Sequence, residues 1–235
     1  MLTYEEIKKN IADVEARISA ACERAGRNRS EVTLIAVSKM NPAEAVLLAN
    51  DCGLRVFGEN KVQEMCGKMD EIDRSLEWHL IGHLQTNKVK YCIGRTAMIH
   101  SVDSLKLAEE IEKESAKKSV VTPILIEMNV AEEESKFGIS CGELEALVRA
   151  LSHMEHIKLM GLMTVAPYTE DPEENRQYFK KLKDLSVDIN SKNIDNVNMS
   201  VLSMGMTGDF EVAIEEGATH IRVGTGIFGA RDYSA

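Results

Sequence analysis

The apolar residues of this chain follow two patterns, one helical and one of short uninterrupted runs. In the first segment they recur at helical spacing from Ile7 to Ile18, which predicts an amphipathic helix. Thr3 and Glu6 have the spacing of a capping box at its start, and Gly26 suits its end.

After Arg29 the pattern changes to short apolar runs that alternate with amphipathic helices. Signals for helix starts fall between the runs: Asn41-Pro42, a second capping box of Ser140 with Glu143, and Asp171-Pro172. The runs predict eight strands, at residues 33–37, 55–57, 77–81, 96–100, 123–130, 157–163, 199–203 and 220–224.

Eight strands, each followed by a helix or helical turn, predict a single α/β domain spanning residues 1–235. We expect a TIM-type (β/α)8 barrel with an additional N-terminal helix, and its length of 235 residues suits that fold. An open, doubly wound sheet is the alternative architecture.

Composition narrows the class of protein. The formal net charge is -10, which disfavours nucleic acid as a partner but leaves room for one small anion at a locally positive site. The five cysteines are odd in number and form no C-x-x-C pair, as is typical of reduced thiols. The chain begins without an apolar signal core and has no apolar run that would span a bilayer, so we expect a cytoplasmic protein.

Barrel enzymes carry their chemistry at the carboxyl ends of the strands, and polar residues follow most of the predicted strands. Lys39 comes directly after the first buried run. A lysine at the mouth of a packed barrel loses solvent, which favours its neutral amine, and a neutral amine can condense with an aldehyde to form an imine. A solvated lysine at a strand end is the competing interpretation.

Two glycine-containing segments follow the seventh and eighth strands, at residues 203–209 and 224–226. Phosphate groups bind at this position in many such barrels, because glycines let the backbone approach and free N–H groups face the anion. Ordinary turns, with Thr207 or Asp209 as a helix cap, would give the same pattern.

Arg222 lies within the eighth strand, where a buried guanidinium needs a partner. A pyridine ring nitrogen or a carboxylate such as Glu59 would serve, and a purely structural ion pair is the alternative. Asn60 and His79 could orient a ligand, although His79 could equally be a core histidine. The histidines show no metal-ligand spacing, so we predict no metal site.

At these same positions the chain resembles the pyridoxal phosphate homeostasis protein family, whose fold is the alanine racemase N-terminal barrel. The matching segments keep the order of the family and extend over nearly the whole chain. They are AVSK (36–39), FGENKVQE (57–64), WHLIGHLQTNK (78–88), HSVDS (100–104), SKFG (135–138), GLM (161–163), LSMGMTGD (202–209) and RVGTGIFGARDY (222–233).

The resemblance implies a role for each matching residue. Lys39 corresponds to the lysine that forms a Schiff base with pyridoxal 5'-phosphate (PLP), and Arg222 to the arginine that faces the pyridine nitrogen. Ser203, Gly224 and Thr225 correspond to phosphate contacts, and Asn60, His79 and Met163 to residues that line the cofactor pocket. Thr207 stands where a serine is common and Gly226 where an alanine is common. Lys136 is a second lysine that could bind PLP, although a surface lysine on a loop is the favoured interpretation.

The resemblance therefore implies a PLP-binding carrier or regulator with effects on amino-acid and keto-acid balance, and we assign no catalytic residue. An arginine beside the pyridine nitrogen disfavours its protonation and makes the ring a weaker electron sink. Alanine racemase uses a tyrosine base from a second domain, which we do not expect in this protein. We expect a monomer whose partners are PLP and apo PLP-dependent enzymes. An amino-acid racemase, or a Schiff-base aldolase acting on a phosphorylated sugar, is the alternative.

Overall fold

A computed structural model describes residues 2–133 and 137–230 and contains a closed barrel of eight parallel strands. Each strand pairs with its neighbours in the sequence, and the last strand pairs with the first to close the barrel. The predicted TIM-type barrel is confirmed, and the open-sheet alternative is wrong. The strands are β1 (Thr33–Val37), β2 (Val56–Glu59), β3 (Glu77–Leu80), β4 (Met98–Val102), β5 (Thr122–Glu127), β6 (Ile157–Met163), β7 (Val197–Met206) and β8 (His220–Val223).

Helices connect the strands and cover the outside of the barrel. They are α1 (Tyr4–Arg24), α2 (Ala43–Asp51), α3 (Val62–Glu71), α4 (Val89–Cys92), α5 (Leu105–Lys118), α6 (Leu144–Leu151), α7 (Arg176–Ser191), α8 (Phe210–Glu215) and α9 (Thr225–Phe228).

The N-terminal helix α1 is capped as predicted and supports the last part of the barrel. Thr3 and Glu6 form the capping box, and Gly26 adopts the left-handed φ of +64° beyond the helix end. The Asn10 amide donates to the Ile227 carbonyl at 3.0 Å, which ties α1 to α9. The additional helix therefore holds the short helix that follows β8.

Some predicted boundaries are wrong by a few residues where polar or glycine residues continue a strand. Strand β2 runs on through Gly58 and Glu59, and β7 extends at both ends of the predicted run. Helix α2 begins at Ala43 with Pro42 at the cap position, one residue later than the predicted cap at Asn41. Apolar runs mark burial, whereas strand ends depend on ladder hydrogen bonds that polar residues make equally well.

The interior of the barrel divides into a small apolar layer and a polar layer. Met98, Leu125, Met163 and Val201 form an inner cluster that is separate from the main core between strands and helices. Buried polar side chains occupy much of the remaining interior, and they include His79, His100, Ser203 and Arg222. Branched apolar residues usually fill such interiors, so a polar layer indicates a functional site.

Gly82 allows the segments after β2 and β3 to approach closely. A Cβ at this position would lie 2.5 Å from the carbonyl oxygen of Asn60 and 2.7 Å from its Cα. We therefore expect Gly82→Ala to lower the free energy of unfolding by about 2–3 kcal/mol. The reason is that the added methyl group would collide with the backbone of Asn60, which cannot move aside as a flexible side chain can. Urea denaturation would measure the change.

Gly67 provides the control for this substitution. It lies within α3, and a Cβ there would meet no atom within 4 Å. Gly67→Ala should raise the free energy of unfolding by about 0.5–1 kcal/mol, since alanine loses less entropy in a helix. Equal effects of the two substitutions would contradict the close approach at Gly82.

Within residues 2–133 and 137–230, no helix has the length and apolar character needed to cross a membrane. The five cysteines are free thiols. In the same two ranges, no group of three or more His, Cys, Asp or Glu side chains is arranged to hold a metal ion.

Candidate functional site

A cavity of about 540 Å³ opens at the carboxyl ends of the strands. It brings together five of the predicted site residues, which come from β1, β2 and β8 and the segments after them. These are Lys39, Asn60, Arg222, Gly224 and Thr225. A larger depression of about 770 Å³ lies where β6 and β7 begin, and its lining includes His153 and Lys158. The first cavity is the better candidate, because the Lys39 amine and the buried Arg222 guanidinium both line it. It also lies at the carboxyl ends of the strands, where barrel enzymes place their active sites.

Lys39 enters the cavity because β1 ends immediately before Ser38. It is half-buried, and its carbonyl oxygen accepts a hydrogen bond of 3.2 Å from the Asn41 amide. The next residue, Met40, has a left-handed φ of +63°, which turns the chain sharply away from the strand direction. The turn leaves the Lys39 side chain at the barrel mouth.

The segments that follow β7 and β8 meet through the hydroxyl of Thr207. Its Oγ1 accepts from the backbone N–H of Gly224 at 3.3 Å and of Gly226 at 3.5 Å. Thr207, Gly208 and Thr225 line the cavity, and α9 begins there. Hydroxyls and N–H groups at a helix start form an environment suited to an anion.

This role of Thr207 was not predicted, because its partners lie 17 and 19 residues later in the chain. Nor does Asp209 act as a conventional helix cap. Its carboxylate accepts instead from the backbone N–H of Met206 at 2.6 Å, which holds the turn between β7 and α8.

Arg222 is 4% exposed and bonds to neutral oxygens. Its guanidinium donates to Ser203 Oγ at 2.6 Å and to the Thr164 carbonyl at 2.7 Å. The proposed pairing with Glu59 is wrong, because that carboxylate lies 2.6 Å from the ammonium of Lys68. Burial lowers the pKa of Arg222 to about 10, so it stays a cation at neutral pH.

From Arg222 a chain of hydrogen bonds crosses the barrel interior. Ser203 Oγ lies 2.9 Å from His100 Nδ1, His100 Nε2 lies 2.7 Å from His79 Nδ1, and His79 Nε2 lies 2.9 Å from the Glu77 carboxylate. The Glu77 side chain is 53% exposed at the other end of the barrel. The chain therefore joins solvent to the cavity residue Arg222.

The direction of donation along this chain follows from its two ends. A guanidinium can only donate, so the Ser203 hydroxyl accepts from Arg222 and keeps its own proton to donate to His100 Nδ1. Burial holds the pKa of His100 well below its usual value, so this ring is neutral and carries its proton on Nε2. His79 then accepts at Nδ1 and donates from Nε2 to the Glu77 carboxylate, and every donor meets an acceptor.

Three predicted pocket residues lie inside the barrel and do not line the cavity. His79 and Ser203 belong to the chain of hydrogen bonds, and both are almost fully buried. Met163, which was expected to line the cofactor pocket, is fully buried in the inner apolar cluster. Lys136 lies outside the described residues.

Glu127, at the end of β5, is a buried acid that the sequence analysis missed. It is two residues from Leu125 of the inner cluster, so strand alternation directs both side chains into the barrel. Its Oε2 has no hydrogen-bond partner among the described residues. Burial raises the pKa of Glu127 to about 7, the charge of Asp103 adds to this, and Arg222 opposes it.

His220 makes the stability of the barrel dependent on pH. Burial lowers the pKa of His220 to about 4, from 6.5. Below pH 6.5 the unfolded chain therefore binds the proton more readily than the folded one, and stability falls as pH drops toward 4.

We expect His220→Gln to remove part of this acid sensitivity. Between pH 7 and pH 5 the wild type should lose on the order of 1–2 kcal/mol more stability than the variant. Urea unfolding at both pH values measures the difference, and His153→Gln, at an exposed position, is the control. Parallel losses in wild type and His220→Gln would contradict the shifted pKa.

Comparisons with known proteins identify the family of this chain. Residues 10–232 match the family described as alanine racemase, N-terminal domain. A relative from Aquifex aeolicus, named pyridoxal phosphate homeostasis protein, is 46% identical over 96% of this chain and 98% of its own. One of the same name from Pseudomonas aeruginosa is 41% identical, over 97% of both chains.

Solved structures of related proteins show the same barrel fold. PipY of Synechococcus elongatus, solved with PLP bound, has a TM-score of 0.83 and 33% identity, covering 95% of this chain and all of PipY. Alanine racemase from Corynebacterium glutamicum shares the fold, with a TM-score of 0.72 and 16% identity over 97% of this chain and 62% of its own. The chain therefore belongs to the pyridoxal phosphate homeostasis protein family, whose barrel is the alanine racemase N-terminal domain.

Proposed function

We propose that this chain binds PLP in the rim cavity as a Schiff base on Lys39 and acts as a carrier or regulator in PLP homeostasis, without robust turnover. One observation carries the proposal. An amine, a buried guanidinium and two segments of threonine and glycine line the same cavity, at Lys39, Arg222, Thr207–Gly208 and Gly224–Thr225. The names of the relatives and the PLP bound in PipY support the choice of ligand.

The residues present suit the three parts of this ligand. PLP supplies an aldehyde, with which the Lys39 amine condenses as one water leaves. The Thr225 hydroxyl and backbone N–H would hold the phosphate, and the Gly224 and Gly226 N–H groups would join them by exchanging Thr207 Oγ1 for the anion. Arg222 has five N–H donors, its hydrogen bonds to Ser203 and Thr164 use two, and a third would face the ring nitrogen.

The cation at Arg222 favours a carrier over an enzyme. A positive charge beside the ring nitrogen opposes its protonation, and an unprotonated ring withdraws electrons weakly. Exchange of the bound aldehyde between amines needs no strong electron withdrawal. The recipients would be apo PLP-dependent enzymes, and the carrier would act as a monomer.

A spectrum of purified protein with added PLP tests the proposal. We expect a saturable visible absorption band that borohydride bleaches, and a pyridoxyl group on the peptide containing Lys39. Absence of the band, or a label distributed over surface lysines, would refute it. A phosphosugar aldolase would instead be trapped with its sugar substrate and show no band with PLP.

Glu127 favours one second candidate, a weak amino-acid racemase. A carboxyl group inside the barrel whose pKa is near 7 can both accept and release a proton at neutral pH. With PLP bound, amino acids in D₂O should then gain deuterium at Cα, and Glu127→Gln should stop the exchange. No exchange above that of free PLP would eliminate this candidate.

A further inference from the structure

Lys68, in α3, is a buried cation outside the cavity. It is 6% exposed, and its ammonium donates three hydrogen bonds. The acceptors are the Ser38 carbonyl at 2.8 Å, Glu59 Oε1 at 2.6 Å and Glu64 Oε1 at 2.9 Å. One side chain therefore joins the end of β1, the end of β2 and helix α3.

The same two carboxylates hold the residues on both sides of Lys39. The Ser38 hydroxyl donates to Glu59 Oε1 at 2.6 Å, and the Met40 backbone N–H donates to Glu64 Oε1 at 2.5 Å. Met40 is also the residue with the left-handed φ of +63°. The turn that sets the direction of Lys39 is thus fixed before and after the lysine by groups that Lys68 connects.

This arrangement is costly as a purely structural device. Glu59 is fully buried, burial raises its pKa, and its Oε2 has no hydrogen-bond partner among the described residues. Apolar side chains of similar volume would join α3 to the barrel at least as well, because buried ion pairs rarely repay their desolvation. Charged groups, in contrast, form directional hydrogen bonds, and here they hold the backbone of the turn at Ser38 and Met40.

We infer that Lys68 is a positioning residue for Lys39, acting through Glu59 and Glu64, and this inference rests on the proposed function. The cluster holds the Ser38–Met40 turn so that Lys39 Nζ lies where its bond to the aldehyde carbon forms and the aldehyde oxygen leaves as water. Reaction rates and equilibria of this kind are sensitive to displacements of about 1 Å.

Two ligands separate positioning from folding. Pyridoxine 5'-phosphate carries the ring and the phosphate but has an alcohol in place of the aldehyde, so it reports only non-covalent binding. We expect Lys68→Met to weaken PLP binding about 10-fold and to slow borohydride-trapped labelling similarly, while affinity for pyridoxine 5'-phosphate stays within about 2-fold. Lys68→Arg, which keeps a cation, should restore much of the loss.

A milder pair of variants covers the case in which Lys68→Met does not fold. Glu64→Ala removes the acceptor for the Met40 N–H at a partly exposed site, and Glu71→Ala alters an exposed acid at the end of the same helix. Glu64→Ala should weaken PLP binding about 3-fold, and Glu71→Ala should not.

The outcomes distinguish this inference from the proposed function. If wild type gives no labelled Lys39, the proposed function fails. If wild type is labelled but Lys68→Met and Glu64→Ala bind PLP as wild type does, the positioning role is refuted. Equal losses for PLP and pyridoxine 5'-phosphate would refute it as well, because a general structural defect affects both ligands.

Discussion

Lys39→Ala is expected to lower the affinity for PLP by at least about 100-fold and to abolish the borohydride-stable adduct. The reason is that alanine keeps the strand end but removes the amine in the cavity that the proposed Schiff base requires. The phosphate and ring contacts remain, so weak non-covalent binding should persist. Equilibrium titration followed by absorbance, with mass analysis of the reduced protein, measures both effects.

Lys61→Ala is the matched control, since Lys61 is an exposed lysine just before α3. It should bind and retain PLP as wild type does. A saturable adduct of wild-type yield in Lys39→Ala would show that another lysine is the attachment point, and Lys136 would then be tested first.

Arg222→Glu should be among the most destabilising single substitutions in the barrel, costing about 4 kcal/mol or more. It removes two donated hydrogen bonds and places a buried carboxylate where the charges of Asp209 and Glu127 already lie within reach of the site. The chain of hydrogen bonds through Ser203 also loses its donor-only end. Denaturant unfolding at pH 7 would report the loss.

Arg222→Met separates charge reversal from simple loss of contacts. Methionine is apolar and flexible, and it relieves the desolvation that lowers the pKa of the guanidinium, so we expect a cost within about 2 kcal/mol. Affinity for PLP should fall in both variants. Similar stability of Arg222→Met and Arg222→Glu would contradict the expected cost of the buried negative charge.

The barrel and several residues of the candidate site could be predicted, because they follow from the pattern of residues along each strand. Eight apolar runs alternate with amphipathic segments, and residues at the ends of parallel strands meet at one face. Lys39, Asn60 and Arg222 were placed in the cavity by that rule alone. The rule applies to positions along a strand and needs no knowledge of which side chains touch.

The remaining features depend on contacts between distant positions. Glu59 had two eligible cations, Arg222 and Lys68, and only the packing of α3 against β1 and β2 selects Lys68. Glu127 was hidden in an apolar run, where its identity gave no sign that it points inward. His79 fits a core histidine and a ligand contact equally well until His100 is placed beside it.

The one-way order of donors from Arg222 to Glu77 also limits how this barrel could evolve. Strongly electron-withdrawing PLP sites place a carboxylate beside the ring nitrogen, and here that carboxylate would replace Arg222. Ser203 would then donate to it, both histidines would exchange tautomers, and His79 Nε2 would present a lone pair to the Glu77 carboxylate. The single-substitution intermediate then places two acceptors face to face, so a change at residue 222 favours a change at Glu77 as well.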